Sequence, residues 1–542
     1  MHYLEEQAVI MRDRLTRETP QSEPIPFAGQ VKNSAGGYVW EISKWDRLTR
    51  FLILGSDGGT YYASGRTLTV ENANCVMQCI EEDGIRSVDI ISNVSSRGRA
   101  AKNDPALFAL AMCASFGNAE TKRYALDKLP MVARIATHLF HFVAYAEKMR
   151  GWGRSLRVAV AKWYQCQEVS KVAYQLIKYR QRDGWTHRDL MRLSHPKPKN
   201  EEQEILFRWA IHGDFASDYV SKELLQFLAY RQMLELSKSD TPTDLELAII
   251  KEHRIPRECI PTDRLKIKEV WTALLDDMPM TAMIRNLATM TRVGLFDSTE
   301  AIEQVCERIT HPSLIENARV HPIQMLSALM TYGAGKGQRS SNEWKPVREI
   351  TQALEKGFYL AFKNVRAIGN RVLVALDISG SMDIGEISGV PGLTPRLASA
   401  AMSMIHHKTE RDVSFVAFCH TLTPLKFDGQ PTIIGMVDTM KRLDMGRTDC
   451  SLPIQYALHN DLAFDTFIIY TDNETWAGSI HPAQALYRYR ETMGINAKLI
   501  VVGMTATSFS IADPNDPGML DVVGFDTATP QIMSQFSSGE MT

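Results

Sequence analysis

Long apolar runs are missing from this chain of 542 residues. No stretch approaches the ~20 consecutive apolar residues of a membrane-spanning helix, so no membrane association is expected. Cysteine is scarce: eight residues, widely scattered, do not form a disulfide framework. Cys75 and Cys79 stand four apart with no matching pair close behind. They read as two thiols packed on a helix rather than as half a metal site. The first residues, Met1 to Glu6, lack the basic and apolar regions of a signal peptide, and an intracellular, reducing compartment is the expectation. No base or nucleophile is arranged for catalysis, so the chain is not expected to be an enzyme.

Net charge is also nearly absent, at −2, but this is a cancellation. From residue 370 onward there are 11 Lys and Arg against 19 Asp and Glu, and residues 1–369 hold 50 against 44. An acidic C-terminal part follows a mildly basic remainder. The length calls for two or more domains. Residues 1–30, polar and with Pro20, Pro24 and Pro26, read as a flexible arm. Residues 47–65 read as a hairpin around Gly55-Ser56-Asp57-Gly58-Gly59. From about 67 to 365 apolar residues recur at three and four. Pro105–Phe116, Met131–Met149, Glu204–Ala210, Lys222–Leu236, Leu265–Leu275, Met280–Met290, Ser298–Ile309 and Ile323–Tyr332 are expected helices. Such an array, without a clean self-repeat, points to an α-solenoid.

Beyond residue 370 the pattern alternates. Strands are expected at Val372–Leu376, Val413–Phe418, Thr466–Tyr470 and Lys498–Val502. Helices are expected at Arg396–His407, Leu452–His459 and Ala483–Thr492. This predicts a doubly wound α/β sheet. The first strand runs into Asp377, Ser379 and Ser381, at spacing two. The C-terminal end of an open parallel sheet is where ligands bind. Thr448 lies before a helix and Asp472 after a strand, so both converge on that edge. Five hard oxygen donors suit Mg²⁺ or another divalent cation. In order, these residues resemble the metal-ion-dependent adhesion site of von Willebrand factor A domains. Arg447 departs from that pattern, which often has glycine there. A guanidinium at this place favours an acidic ligand or weakens the metal by repulsion. In such a domain the open metal position takes a carboxylate from a protein partner. His406 and His407 read as part of a plain helix face away from this edge.

Residues 148–199 hold thirteen Lys or Arg against three acidic residues. Val169, Val172, Ala173 and Leu176 form an apolar helical stripe, and Lys171, Gln175, Lys178 and Arg182 a second, cationic one. Gly184 reads as a helix stop and Thr186 as the next N-cap. Trp185 and His187 are then expected on a bend among cations. Cations interleaved with exposed aromatics suit RNA, whose phosphates pair with Lys and Arg while its bases stack. Lys162, Lys171, Lys178, Arg180, Arg182, Trp185, His187 and Arg188 are the candidate RNA contacts. Lys171, Lys178 and Arg182 would neutralise phosphates; Trp185 and His187 would meet bases or sugars. Gly333 to Arg339 mimics a phosphate loop, but Gly337 follows Lys336 where Ser or Thr is required, and a flexible basic loop is expected instead.

The segments Lys44–Tyr62, Lys178–His195 and Asp377–Met382 together resemble the SS-A/Ro ribonucleoprotein family, over nearly the whole chain. The resemblance implies a TROVE module over 31–369, an α-helical HEAT-like repeat ring, followed by a von Willebrand factor A domain over 370–542. It also implies Y RNA bound outside the ring, 3′ ends of misfolded noncoding RNA in its central hole, and a role in RNA quality control and Y RNA stabilisation. A cytoplasmic protein with a nuclear pool is implied as well. The alternative is a metal-dependent protein-interaction scaffold acting through the A-type domain.

Overall fold

The computed structural model describes residues 17–540, apart from 57–64, 214–218, 240, 337–340, 363–365, 388–391, 428–430 and 444. Helices fill residues 44–360 almost continuously, and every helix expected from periodicity is present within a few residues, in several cases split by a turn. Met131–Met149, for example, is divided between Ala119–Val132 and Ala136–Arg150. The expected hairpin at 47–65 is not formed. Its first half is the helix Lys44–Leu54, and residues 57–64 lie outside the described residues. The aromatic and β-branched residues of that stretch are overridden by helical packing of its apolar residues. Ser43 caps the helix by accepting from the Asp46 N–H, and Leu48 and every residue from Arg50 to Leu54 are buried. Cys75 and Cys79 are indeed buried helix thiols, both donating to the Lys44 carbonyl.

The two ends of the array meet. His321 Nε2 donates to the Arg99 carbonyl at 2.8 Å and Gln324 Nε2 to that of Ala101 at 3.3 Å. These bonds join the helix Pro322–Gly333 to the turn after Gly65–Ser96, and so close the array.

Four short strands precede the main sheet: β1 (Val31–Lys32), β2 (Tyr38–Glu41), β3 (Gln181–Arg182) and β4 (Trp185–Thr186). The main strands are β5 (Val372–Asp377), β6 (Val413–Phe418), β7 (Leu422–Leu425), β8 (Thr466–Thr471) and β9 (Lys498–Gly503). After the short β10 (Phe509–Ser510) comes β11 (Met519–Val523). The six-stranded order is β11-β9-β8-β5-β6-β7, parallel except for the edge strand β7. Strand β5 is buried on both faces, as its unbroken apolar run requires. Val372, Val374 and Leu376 join a core continuous with the helical array. Leu373 and Ala375 join a second core with Ile454, Leu486 and Tyr489. The array and the α/β domain therefore share one hydrophobic core.

The arm expected over 1–30 is firmly held where it is described. Gln21 is fully buried: its Nε2 donates to Asp449 Oδ1 at 2.7 Å and to the Ile480 carbonyl at 2.8 Å. Strand β2 pairs with β1 and with β10, so residues 17–41 are built onto the α/β domain.

Candidate functional site

Two regions carry chemistry. The first is the sheet edge where β5 and β8 end. Successive strands leave β5 in opposite directions, β6 to one side and β8 to the other, which makes this the switch point where open sheets bind ligands. Asp377 closes β5 and Asp472 follows β8. Asp377, Ser379, Ser381, Thr448 and Asp472 are all buried. The Ser379 and Ser381 hydroxyls lie 3.1 Å apart. Asp377 accepts from the Ser379 N–H at 2.8 Å and from the Thr471 hydroxyl at 2.7 Å. Asp472 Oδ1 accepts from the Glu474 N–H at 3.0 Å, and the Ser381 hydroxyl near this carboxyl favours its charged form. The Thr448 loop is tied to the Asp472 loop by the Trp476 and Ala477 N–H groups, which donate to the Thr448 carbonyl.

Burial pushes Asp377 well above the ordinary carboxylate range, and the Asp472 charge adds to it. Asp472 is raised by burial too. Glu474 is pushed up to about 8 by burial and then by Asp472. Arg396, on the helix Pro395–Thr409, is turned to the Ile378 carbonyl and to Asp383 Oδ1. No ion pair among the described residues reaches Asp377 or Asp472. Two buried carboxylates that repel each other, with hydroxyls beside them, fit a hard divalent cation. Among the described residues no cluster of three or more acidic, His or Cys side chains is placed to hold a metal, so a cation at this edge would rest on the two carboxylates and the hydroxyls. Arg447 stacks over Trp476, 5.2 Å from the ring centre. His406 is buried against the Tyr470 hydroxyl, and both it and His407 lie on the helix Pro395–Thr409.

The N-terminal segment braces this edge. The Thr475 hydroxyl donates to Gln21 Oε1, the Ala35 N–H to Glu474 at 3.0 Å, and Asn33 Nδ2 to the Thr475 carbonyl at 2.8 Å. A Cβ at Gly37 would fall 1.9 Å from the Thr475 carbonyl oxygen, so only glycine fits. Sequence spacing held no sign of this contact, because more than 400 residues separate its two sides.

The second region is the basic segment. The helix Val169–Lys178 ends earlier than its charge pattern implied. Strands β3 and β4 follow, joined by a turn in which Asp183 and Gly184 both have positive φ, of 53° and 81°. The second stripe is therefore broken. Gln175 is buried and accepts from the Ala136 N–H, and Arg182 lies on a strand. Thr186 is the expected N-cap, in a capping box with Asp189.

Lys162, Lys171, Arg180, Arg182 and Arg188 are exposed. Lys162 pairs with Asp127 at 3.0 Å, and Arg180 is held against the Tyr230 ring and hydroxyl. Three candidates are placed differently from expectation. Lys178 is sequestered, its Nζ donating to the Tyr174 hydroxyl at 2.8 Å. His187 is buried, its Nδ1 2.8 Å from the Tyr164 hydroxyl and its Nε2 3.3 Å from the Gln175 carbonyl. Burial lowers it to about 4, so it is a neutral core histidine and not a surface contact. Trp185 is half-buried and packs on Trp152 at 5.5 Å. The apolar face of each helix decides which neighbours are free. On His187–Ser194, burial of His187, Leu190, Met191 and Ser194 turns Arg188 and Arg192 outward. On the helix Arg154–Gln165, which packs against it, Arg154 and Arg157 are exposed. Among the described residues Arg154, Arg157, Lys171, Arg188 and Arg192 make no ion pair. Arg154, Arg157 and Arg192 were not among the candidate contacts, although their i, i+3 or i, i+4 spacing against buried positions was readable.

A closed helical-repeat array sharing its core with a doubly wound sheet, whose switch point holds buried carboxylates and hydroxyls, defines a helical-repeat protein carrying a von Willebrand factor A domain. The TROVE domain model matches residues 31–247 and 232–331, and the Ro60 vWA domain model matches residues 371–537. The chain belongs to the Ro60 family of TROVE-domain proteins. It is 40% identical over 526 residues to the RNA-binding protein RO60 of Deinococcus radiodurans, covering 96% of this chain and 98% of that protein. It is 39% identical over 606 residues to the RNA-binding protein RO60 of Caenorhabditis elegans, covering 98% and 94%. The crystal structure of the Deinococcus radiodurans Ro (RSR) protein superposes with a TM-score of 0.69, over 92% of this chain and 100% of that one.

Proposed function

We propose that this chain is a non-catalytic RNA-binding protein that holds small noncoding RNA of the Y type on its exposed basic surface. We further propose that single-stranded 3′ ends of misfolded noncoding RNAs enter a central hole of the array. The role is RNA quality control and Y RNA stabilisation, in the cytoplasm with a nuclear pool. The observation that carries this reading is the set of exposed, carboxylate-free cations Arg154, Arg157, Lys171, Arg188 and Arg192 on adjoining helices. The names of the two relatives, both RNA-binding proteins, support it. Replacing Arg154, Arg157, Arg188 and Arg192 together by Ala tests it against a labelled small RNA with a single-stranded 3′ end. At 0.15 M salt the dissociation constant should rise roughly 10²–10³-fold, and the salt dependence should flatten by about 3–4 in log–log slope. An unchanged constant would sink the assignment. The same RNA incubated with Mg²⁺ should stay intact, and specific cleavage would overturn the non-enzymatic reading.

The buried carboxylate pair favours a second, compatible role. Asp377, Ser379, Ser381, Thr448 and Asp472 would hold Mg²⁺ or another divalent cation. The cation would supply an open coordination position for a carboxylate from an acidic protein ligand. A partner retained by the protein, released by EDTA and lost in Asp377→Ala, is the expected result.

A further inference from the structure

Where the array closes, three of its arginines gather, and among the described residues two of them make no ion pair. The turn after Gly65–Ser96 carries Arg97 and Arg99, and the segment before Pro322–Gly333 carries Arg319. Between them and the start of the helix Thr529–Ser538 of the A-type domain lies a cleft of about 660 Å³. Arg97, Arg99, Glu316 and Arg319 line one side, Thr527 and Gln531 the other. Arg99 is already neutralised, forking onto both oxygens of Asp526. Arg97 and Arg319 are exposed, and among the described residues neither makes an ion pair. Arg319 adopts φ 49°, a left-handed conformation that a bulky side chain rarely takes, and its stem packs over Gly98. Arg134 stands close by, its Nη1 donating to both the carbonyl and the hydroxyl of Ser95 at 2.7 Å. Burial and then the Arg319 charge pull Arg134 down to about 10.

Like charges held together by the backbone, with Glu316 the one acidic residue among the described lining residues, form a site for an anion. Guanidinium forks match phosphate oxygens in geometry and stay charged at any physiological pH. We propose that this seam cleft binds a phosphate group, with Arg97 and Arg319 taking its oxygens and Arg134 adding its charge. The phosphate comes either from an RNA backbone or from a small phosphorylated molecule. The first source rests on the RNA-binding reading above; the second does not. A ligand here would touch both the array and the A-type domain, and so would couple binding to closure of the seam.

The test uses the full chain with Arg97→Ala and Arg319→Ala combined. One probe is a labelled ten-nucleotide oligouridylate read by fluorescence anisotropy. The other is inorganic pyrophosphate read by thermal shift. Oligouridylate affinity should fall about tenfold or more, with a log–log salt slope shallower by about 1.4, as expected for two lost contacts on a single strand. Loss of the pyrophosphate-induced thermal shift with unchanged oligouridylate binding would instead identify the small-molecule source. If both probes act on the variant as on the wild type, or neither acts on the wild type, the site does not exist. Should the wild type bind pyrophosphate but not oligouridylate, the RNA reading fails while this site stands. Arg97→Gln, at an exposed side chain, keeps the test decisive if the double variant does not fold.

Discussion

The helical array and the A-type domain place their charges in opposite ways. In the array the cations of residues 148–199 mostly sit exposed to solvent. In the A-type domain Asp377 and Asp472 are buried at the end of neighbouring strands, held by backbone N–H groups and hydroxyls. Surface charges act additively and are screened by salt, so the array is suited to a long polyanion. Buried charges act locally and need a specific partner, so the sheet edge is suited to one small cation. The two regions are nevertheless one body, because one face of the sheet packs in the same core as the helices.

That unity is where the comparison breaks most sharply. Arg50 of the helix Lys44–Leu54 is fully buried and pairs with Asp521 on β11. Burial raises Asp521 despite the guanidinium beside it, so the pair fixes where the two regions meet more than it stabilises them. Asp521→Ala leaves Arg50 buried and unpaired, and should cost about 3–5 kcal/mol, measured by denaturant unfolding followed in both regions. If the array unfolded separately from the sheet, the shared core would not be a single cooperative unit.

Acid should destabilise both regions together. Burial lowers His187 in the array, His321 at its seam and His406 in the A-type domain, each to about 4. Their unfolded forms take up protons near 6.5 while the folded ones stay neutral, so stability is lost as pH falls from about 6.5 to about 4. Each contributes at most about 3–4 kcal/mol over that window. His187→Phe should remove its share of the slope and leave the salt dependence of RNA binding unchanged.

Cation binding should separate the regions again. At a Mg²⁺ concentration a hundredfold above its dissociation constant, stabilisation of about 2.7 kcal/mol is expected, read as a rise in Tm. Asp377→Ala should abolish that rise, and Gln21→Ala should reduce it by loosening the brace on the Asp449 and Thr475 loops. The RNA surface should be indifferent to both. The smallest effect lies within the basic segment. Lys171→Ala should weaken RNA binding about fivefold at 0.15 M salt. Lys178→Ala, already committed to Tyr174 and Glu258, should weaken it less. Equal effects would mean that Lys178 swings outward when RNA binds.

The A-type domain was the more legible region. Its inner strands are continuous apolar runs because both faces are covered, and the carboxylate and hydroxyl residues singled out at their ends meet at one buried edge. Its edges were not legible. Strand β7 contains Pro424, tolerated only because this strand lies at the edge, and β11 contains Asp521, whose partner is in the helical region. In the array, periodicity located the helices but not which cations would be free. The apolar stripe on Val169–Lys178 was right, yet the helix stopped at Lys178, and the next four residues turned Arg182 onto a strand.

By itself, the sequence determined the two architectures, the order of the five carboxylate and hydroxyl residues at the sheet edge and the excess of positive charge in the basic segment, because these depend on local periodicity and on residue type. Only the tertiary structure decided that His187 and Lys178 are withdrawn, that Arg154, Arg157 and Arg192 are presented, and that the N-terminal segment braces the sheet edge. It alone brought Arg97 and Arg319 to one cleft. Burial and long-range juxtaposition depend on how helix faces and sheet edges meet, and residues such as Gln21 and Asp449 become neighbours only after hundreds of intervening residues have folded.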